Sequence, residues 1–532
     1  MFINHRVCEG CGDCSQTSNC LSVLPLETAF GRKRAIDQSS CNKDYSCAEG
    51  FCPSFVNVIG ATPRRLAGRR EVPAALAALP EPTEPTLEDD KSYNILVTGI
   101  GGTGVVTIAA LVTMAAHMEG KALSTIDQFG MAQKGGAVTS HVRIARDPAA
   151  LGAMRLNGAS ADLVLGCDSL VTGGELALGV IDPARTHVVV NAHQAITGQF
   201  ALNPDLVFPD QALFGRIAAE AGAGRLEILD ATGLAARLLG DTIATNLFML
   251  GYAYQKGWVP VSAAALMRAI ELNGLAVEMN KSAFEWGRRA AHDLAAVEAL
   301  ADAGGAEAEP VPETLEALIR HRALALTAYQ DAAYTRRYEA LIRRVEAAEA
   351  ARAKGAEGLT ESVARGLYKL MAYKDEYEVA RLYGDPAFRA ELAAGFEGIE
   401  RLELLLAPPL LSRPDPVTGK VRKRAFGPWI FTALGLLARF KRLRGTPFDP
   451  FGMTGERRDE RALIGEYEAI VDELLERLGP ENHALARRIA GVAETIRGFG
   501  HVKARNVAAA RAEWASLMRT WRDGSPLAQA AE

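Results

Sequence analysis

Beyond residue 52 this 532-residue chain is almost without cysteine: Cys167 stands alone there, against Cys8, Cys11, Cys14, Cys20, Cys41, Cys47 and Cys52 before it. No apolar stretch follows the basic residue of Met1-Phe2-Ile3-Asn4-His5-Arg6, so the start does not read as a secretory signal. A disulfide framework is thereby disfavoured, and ligation of a metal or cluster is favoured. Neither sign of charge is in large excess. A net charge of −5 gives no footing for a nucleic-acid binder. Tyr93 to Ala116 is a long uncharged run, and Gly99, Gly101, Gly102 and Gly104 interrupt it where a strand would turn into a helix. It reads as a buried strand–turn–helix and not as a membrane span, and the expected location is cytoplasmic. There is no Walker phosphate loop, no Ser/His/Asp hydrolase signature and no fixed-period repeat.

What is present is ordinary in bulk, with 48% hydrophobic and 23% charged residues, but too long for one core. Residues 1–60 hold the cysteines. Residues 61–91 form a proline-punctuated linker closed by Glu88-Asp89-Asp90-Lys91. From residue 92 to about 300, short apolar runs alternate with helical stretches. Strands are expected at Asn94–Thr98, Ala122–Asp127, Ser140–Ile144, Leu163–Gly166, His187–Asn191 and Arg225–Leu229, giving a doubly wound, mostly parallel α/β domain. After a second linker the period becomes 3.6. Tyr334, Tyr338, Leu341, Ile342 and Val345 share one helix face, as do Tyr467, Ile470, Val471, Leu474, Leu475 and Leu478, so residues 313–525 read as a mainly helical domain. The expected class is multidomain, α/β plus α.

Cys8-x2-Cys11-x2-Cys14 places three thiolates on one short loop, the arrangement that grips one face of a cubane cluster, and Cys52-Pro53 fits the remote fourth ligand. A structural zinc site more often takes two separate cysteine pairs. The expectation is one [4Fe–4S] cluster in a small ferredoxin-like domain. Cys20, Cys41 and Cys47 are then either structural thiols or a second site completed by a non-cysteine ligand.

Ile95-Leu96-Val97-Thr98 runs into Gly99-x-Gly101-Gly102-Thr103-Gly104 and an apolar helix. Glycines there let a phosphate approach the backbone and rest on the helix N-terminus. They also serve plain helix–strand packing. Asp127, ending the next strand, stands where a dinucleotide fold places its ribose-binding acid, which keeps open an NAD- or FAD-linked iron–sulfur subunit. Gln128-Phe129-Gly130-Met131-Ala132-Gln133-Lys134-Gly135-Gly136 forms a second glycine-rich loop at the same sheet edge.

Other candidates read as structural. Cys167 is expected to be a buried small hydrophobe. His193 follows an apolar strand, and His501 and Lys503 sit near a Gly-Phe-Gly turn. Arg413–Arg444 carries nine Lys and Arg against Asp415; a patch of this size can steer an acidic protein or a ligand's phosphates, but such runs more often are solvated or pair with acids elsewhere.

Taken together, Val7–Cys14, Ser39–Cys47, Gly99–Gly104 and the Asp127–Gly136 loop resemble the large bacterial indolepyruvate ferredoxin oxidoreductases of the 2-oxoacid:ferredoxin oxidoreductase superfamily. The likeness spans the chain as the C-terminal part of that longer enzyme: ferredoxin-type domain, gamma domain, and a helical tail including Phe448–Gly452 and Arg497–His501. The resemblance implies oxidative decarboxylation of an arylpyruvate to an acyl-coenzyme A, with electrons leaving through [4Fe–4S] to ferredoxin. Coenzyme A would lie at Gly99, Gly101, Gly102, Thr103 and Gly104 with Gln128, Phe129 and Lys134, and Asp127 would read no ribose. The superfamily also implies a dimer of functional units. No Gly-Asp-Gly motif with its downstream asparagine is present, so thiamine diphosphate and magnesium are expected on a partner chain or a missing half.

Overall fold

The computed structural model describes residues 1–64, 72–130, 136–303, 311–408 and 423–523. It divides into two units, Met1–Pro63 with Phe200–Asp205 and Glu307–Glu532, and Arg64–Gln199 with Leu206–Ala306.

In the second unit the uncharged run folds as its glycines dictate, a strand Tyr93–Ile100 followed by a helix Val105–Met118. Among the described residues no helix is long and apolar enough to cross a membrane. The strand sits inside a six-stranded sheet whose spatial order, from one edge, is Leu226–Leu229, His187–Asn191, Leu163–Gly166, Tyr93–Ile100, Ala137–Ala145 and Ala122–Phe129. The first four are parallel; Ala137–Ala145 is antiparallel to both of its neighbours. Sheet positions alternate between two cores, as a period of two requires. Ile95, Val97, Leu163 and Leu165 pack with the helices Val105–Met118 and Thr245–Gln255, while Leu96, Val164, Val188 and Val190 pack on Val180 and Ile217. Burial on both faces explains why these strands read as continuous apolar runs.

Part of the expected linker is a strap on this unit. Leu76 and Leu87 enter its core, and Arg288 donates to Glu81 Oε1 at 2.9 Å.

The first unit brings the cysteine-rich segment and the C-terminal helices into one body. Phe2–Ile3, Phe55–Ile59, Arg401–Leu406 and Arg424–Phe426 form one antiparallel sheet, with Val56 opposite Leu404. Val7 and Val56 share a core with Tyr383, Phe388, Leu392 and Ile430. The strand Arg401–Leu406, unmarked in a region that reads as helical, is there because the short cysteine segment has too little apolar surface to close its own core. The two periodic stretches do form helices, Ala332–Arg352 and Gly455–Arg477, with Tyr338, Leu341, Ile342, Val345, Tyr467, Val471 and Leu474 buried. Leu478 ends the second helix ahead of Gly479-Pro480.

Candidate functional site

In the first unit the loop from Cys8 to Cys14 depends on two left-handed glycines, Gly10 (φ 68°) and Gly12 (φ 78°). A Cβ on Gly10 would lie 2.2 Å from the Arg32 carbonyl oxygen, so only glycine closes this loop. Cys8, Cys14 and Cys52 are buried and Cys11 is half-buried. Burial pushes the Cys11 thiol up to about 12, and the nearby Cys52 and Cys8 push the same way. Burial pushes Cys52 up to about 11, with Cys8 adding to it. Cys14 is raised by burial and then by Cys8, Cys52 and Cys11. These four thiols therefore neighbour one another. Thiols so buried ionise only opposite strong positive charge, such as bound iron. Gly10 donates its N–H to Cys8 Sγ at 3.3 Å, and Ser54 Oγ lies 2.9 Å from Cys52 Sγ. Polar contacts of this kind stabilise thiolate charge.

Cys47 packs in the same small core as Cys8, Cys14 and Cys52, with Cys20 against it. Burial pushes the Cys47 thiol up to about 11, with Cys20 and Cys41 as its neighbouring thiols. Among the described residues no three His, Cys, Asp or Glu side chains gather as a site for a single ion. A zinc ion draws its ligands together around one atom, whereas a cubane holds its thiolates apart at four corners. The soft donor set Cys8, Cys11, Cys14 and Cys52 has the chemistry that a [4Fe–4S] cluster takes.

Lysines from distant sequence surround this loop, with no motif to announce them. Glu9 is 6% exposed, and Lys369 and Lys374 both pair with it, the latter at 3.1 Å. Burial alone would raise the Glu9 carboxyl, but Lys369, Lys374 and Lys33 hold it well below the usual carboxylate range. Lys374 also donates to the Cys8 carbonyl at 3.0 Å, and Lys423 to that of Cys52 at 3.1 Å. The Arg497–His501 stretch packs here too: a Cβ on Gly498 (φ 104°) would touch Cys11 Cβ at 3.5 Å, and the His501 ring lies 5.3 Å from that of Phe51. Lys503 is buried against Glu460 and faces no open site.

The basic stretch Arg413–Arg444 is not one face. Arg444 is buried in a bidentate pair with Asp375 and lies over the Tyr329 ring at 3.7 Å. Lys420 and Arg422 lie outside the described residues. Asp449, within Phe448–Gly452, is a buried turn acceptor for Gly445 N–H and Phe451 N–H.

In the second unit Gly99 serves packing, since a Cβ there would meet Val105 Cγ2 at 2.5 Å. Gly102 does not: with φ 89° its Cβ would meet nothing within 4 Å. Gly104 (φ 95°) starts the helix Val105–Met118; among the described residues no side chain caps it, and Thr107 N–H donates to the Gly104 carbonyl at 3.1 Å. Thr103 shapes the turn, donating Oγ1 to the Ile100 carbonyl at 2.8 Å while its own carbonyl accepts from Asn246. Gly101 N–H donates to the Gly136 carbonyl at 2.8 Å, so the second glycine-rich loop does border the first.

Asp127 departs from the dinucleotide pattern. The antiparallel strand Ala137–Ala145 lies between its strand and the glycine-turn strand, and Ser140 Oγ occupies Asp127 Oδ1 at 2.5 Å. The acid is a strand removed from the glycine turn, against the dinucleotide alternative. Gln128 Oε1 faces His141 Nε2 at 3.3 Å, and Phe129 is 67% exposed. Lys134 lies outside the described residues. His141, unremarked in the sequence, is fully buried; burial, then Arg155 and Arg143, lowers its pKa to about 4. Its Nδ1 accepts from Leu156 N–H at 3.2 Å, which places the proton on Nε2 toward Gln128. Cys167 is buried against Gly99, as a small hydrophobe would be. His193 is part-exposed, 3.9 Å from Asp230.

A mostly parallel sheet with a glycine turn leading from a central strand into a helix is the architecture of a doubly wound α/β domain. Residues 94–290 match the family described as pyruvate ferredoxin/flavodoxin oxidoreductase, and residues 315–516 a family of unknown function, DUF6537. The indolepyruvate oxidoreductase subunit IorB of Pyrococcus horikoshii is 31% identical over 208 residues, which covers 38% of this chain and 98% of that protein. Its namesake from Thermococcus kodakarensis is 29% identical over the same shares. The solved pyruvate oxidoreductase subunit PORC of Thermotoga maritima is 20% identical, covers 37% of this chain and 96% of its own, and has a TM-score of 0.28. The chain belongs to the 2-oxoacid:ferredoxin oxidoreductase superfamily.

Proposed function

We propose that the chain is a subunit, or the C-terminal half, of an indolepyruvate or related arylpyruvate:ferredoxin oxidoreductase. The reading is carried by one observation: a domain matched almost end to end by indolepyruvate oxidoreductase subunits shares a chain with four neighbouring thiols, three of them buried. Cys8, Cys11, Cys14 and Cys52 would hold a [4Fe–4S] cluster, which supplies one-electron storage when bound. Gly10 N–H and Ser54 polarise toward its thiolates, and Lys374 and Lys423 fix the loop carbonyls. Gly102 and the N–H groups after Gly104 take a phosphate of coenzyme A. Thiamine diphosphate and magnesium belong to a partner chain or a missing half, and ferredoxin accepts the electrons.

Co-expression with a thiamine-dependent partner, followed by a viologen assay across arylpyruvates, tests the whole reading. Reduction that needs both indolepyruvate and coenzyme A is expected. NADH oxidation or bound flavin in its place would overturn it.

A further inference from the structure

A cavity of about 340 Å³ opens in the first unit beside Glu9 of the cysteine loop, with nine Lys and Arg side chains and four carboxylates on its wall. Most of these cations are answered by acids: Arg6 by Glu391 at 2.9 Å, Arg365 by Glu361 and Arg381 by Glu378, both at 2.7 Å. Two are not. Arg322, 3% exposed, gives Nη2 to the Ala29 carbonyl, and among the described residues its Nε and Nη1 have no hydrogen-bond partner. Lys33, 7% exposed, has no carboxylate within ion-pair distance among the described residues, and its neighbours Lys369 and Lys374 share the single carboxylate of Glu9.

A buried guanidinium without a carboxylate in reach is costly, and burial with Lys374 pushes the Lys33 ammonium well below its ordinary pKa, so an anion seated here would restore charge that the empty site disfavours. Arg322 is also preorganised. Its guanidinium lies over the Phe30 ring at 4.5 Å and the Tyr368 ring at 4.6 Å, and those rings stack 5.5 Å apart. A clamped planar fork with free N–H groups matches phosphate oxygens better than a mobile ammonium does. That Lys33 and Lys374 merely offset thiolate charge at Cys8 leaves the Arg322 N–H groups without a use. At this volume the cavity suits one or two phosphoryl groups on a small organic body, not a whole dinucleotide.

We propose that this cavity binds a small phosphorylated metabolite, gripped by the Arg322 fork and Lys33. The site is independent of the glycine turn and of any oxidoreductase activity, so its failure would leave the proposed function untouched.

Calorimetric titration of the full chain with inorganic pyrophosphate, and in parallel with citrate, tests it. Pyrophosphate is expected to bind more tightly than citrate. Arg322→Met and Lys33→Met should each weaken pyrophosphate by at least about tenfold, the worth of a charge-assisted contact. Arg511→Gln, in a surface pair with Glu466, should bind as the unmodified chain does. Circular dichroism establishes that each variant is folded; should Arg322→Met not fold, Lys33→Met decides. No pyrophosphate binding, tighter citrate binding, or undiminished binding by the folded variants would overturn the proposal.

Discussion

Lys374 donates its ammonium to the carbonyl oxygen of Cys8 at 3.0 Å, across 366 residues of sequence. The contact ties the cysteine loop to a chain segment that carries no cysteine of its own. Together with Lys423 at Cys52 and Gly498 beside Cys11, it makes the C-terminal region part of the wall around the four thiols. The resemblance left the tail without a role; here it supplies support and counter-charge.

Iron content separates the two cysteine groups. The purified chain should carry about four iron and four sulfide per chain. Cys52→Ser should lose most of the broad visible absorbance, while Cys41→Ser should keep it. About eight iron per chain, with Cys41→Ser losing half, would refute a single cluster.

The two glycines of the turn should fail differently. Gly99→Val forces side-chain atoms into Val105 and Cys167, and a loss of about 2–3 kcal/mol is expected from chemical denaturation. Gly102→Ala meets open space and costs about 1–2 kcal/mol for its left-handed backbone. It should nevertheless raise the coenzyme A KM of the assembled enzyme several-fold, because the methyl fills the place of a phosphate. An unchanged KM would remove this turn from coenzyme A binding.

Asp127→Asn tests the dinucleotide alternative directly. With Ser140 already on its carboxylate and a strand between it and the turn, the substitution should leave the coenzyme A KM within about twofold, a change below about 0.4 kcal/mol. Nicotinamide-nucleotide binding by the native chain that Asp127→Asn abolishes would favour the alternative.

Acid stability of the helical region should report on Glu349. This buried carboxylate accepts from Leu359 N–H at 2.8 Å and Thr360 N–H at 2.9 Å at the start of the helix Leu359–Met371, and from His483 at 2.7 Å. Burial would raise its pKa, but Thr360 and His483 hold it below the ordinary value. A depressed folded pKa contributes stability above the unfolded value near 4.3, and that stability is lost as pH falls through the folded one. Glu349→Ala should cost about 2–3 kcal/mol at neutral pH and flatten the denaturation midpoint between about pH 5 and 3. An acid limb as steep as that of the native chain would show that another group governs it.

Local chemistry determined much of this protein from its sequence alone. Three cysteines at a spacing of three with a remote Cys-Pro, a β-branched run broken by glycines, and 3.6-residue periodicity before Gly479-Pro480 each act within a few residues, where sterics and periodicity decide. The sheet's composition was legible for the same reason, its neighbour order was not. That Ala137–Ala145 inserts antiparallel beside Tyr93–Ile100, stranding Asp127, depends on a hairpin pairing that no residue in either strand announces. Tertiary packing alone decided that the cysteine segment closes its core on Leu404 and Phe388, and that Lys33, Lys369 and Lys374 converge on Glu9. Charges read singly along a chain look solvated; only folding brings them where water cannot follow, and there the cost of leaving them unpaired makes their arrangement matter.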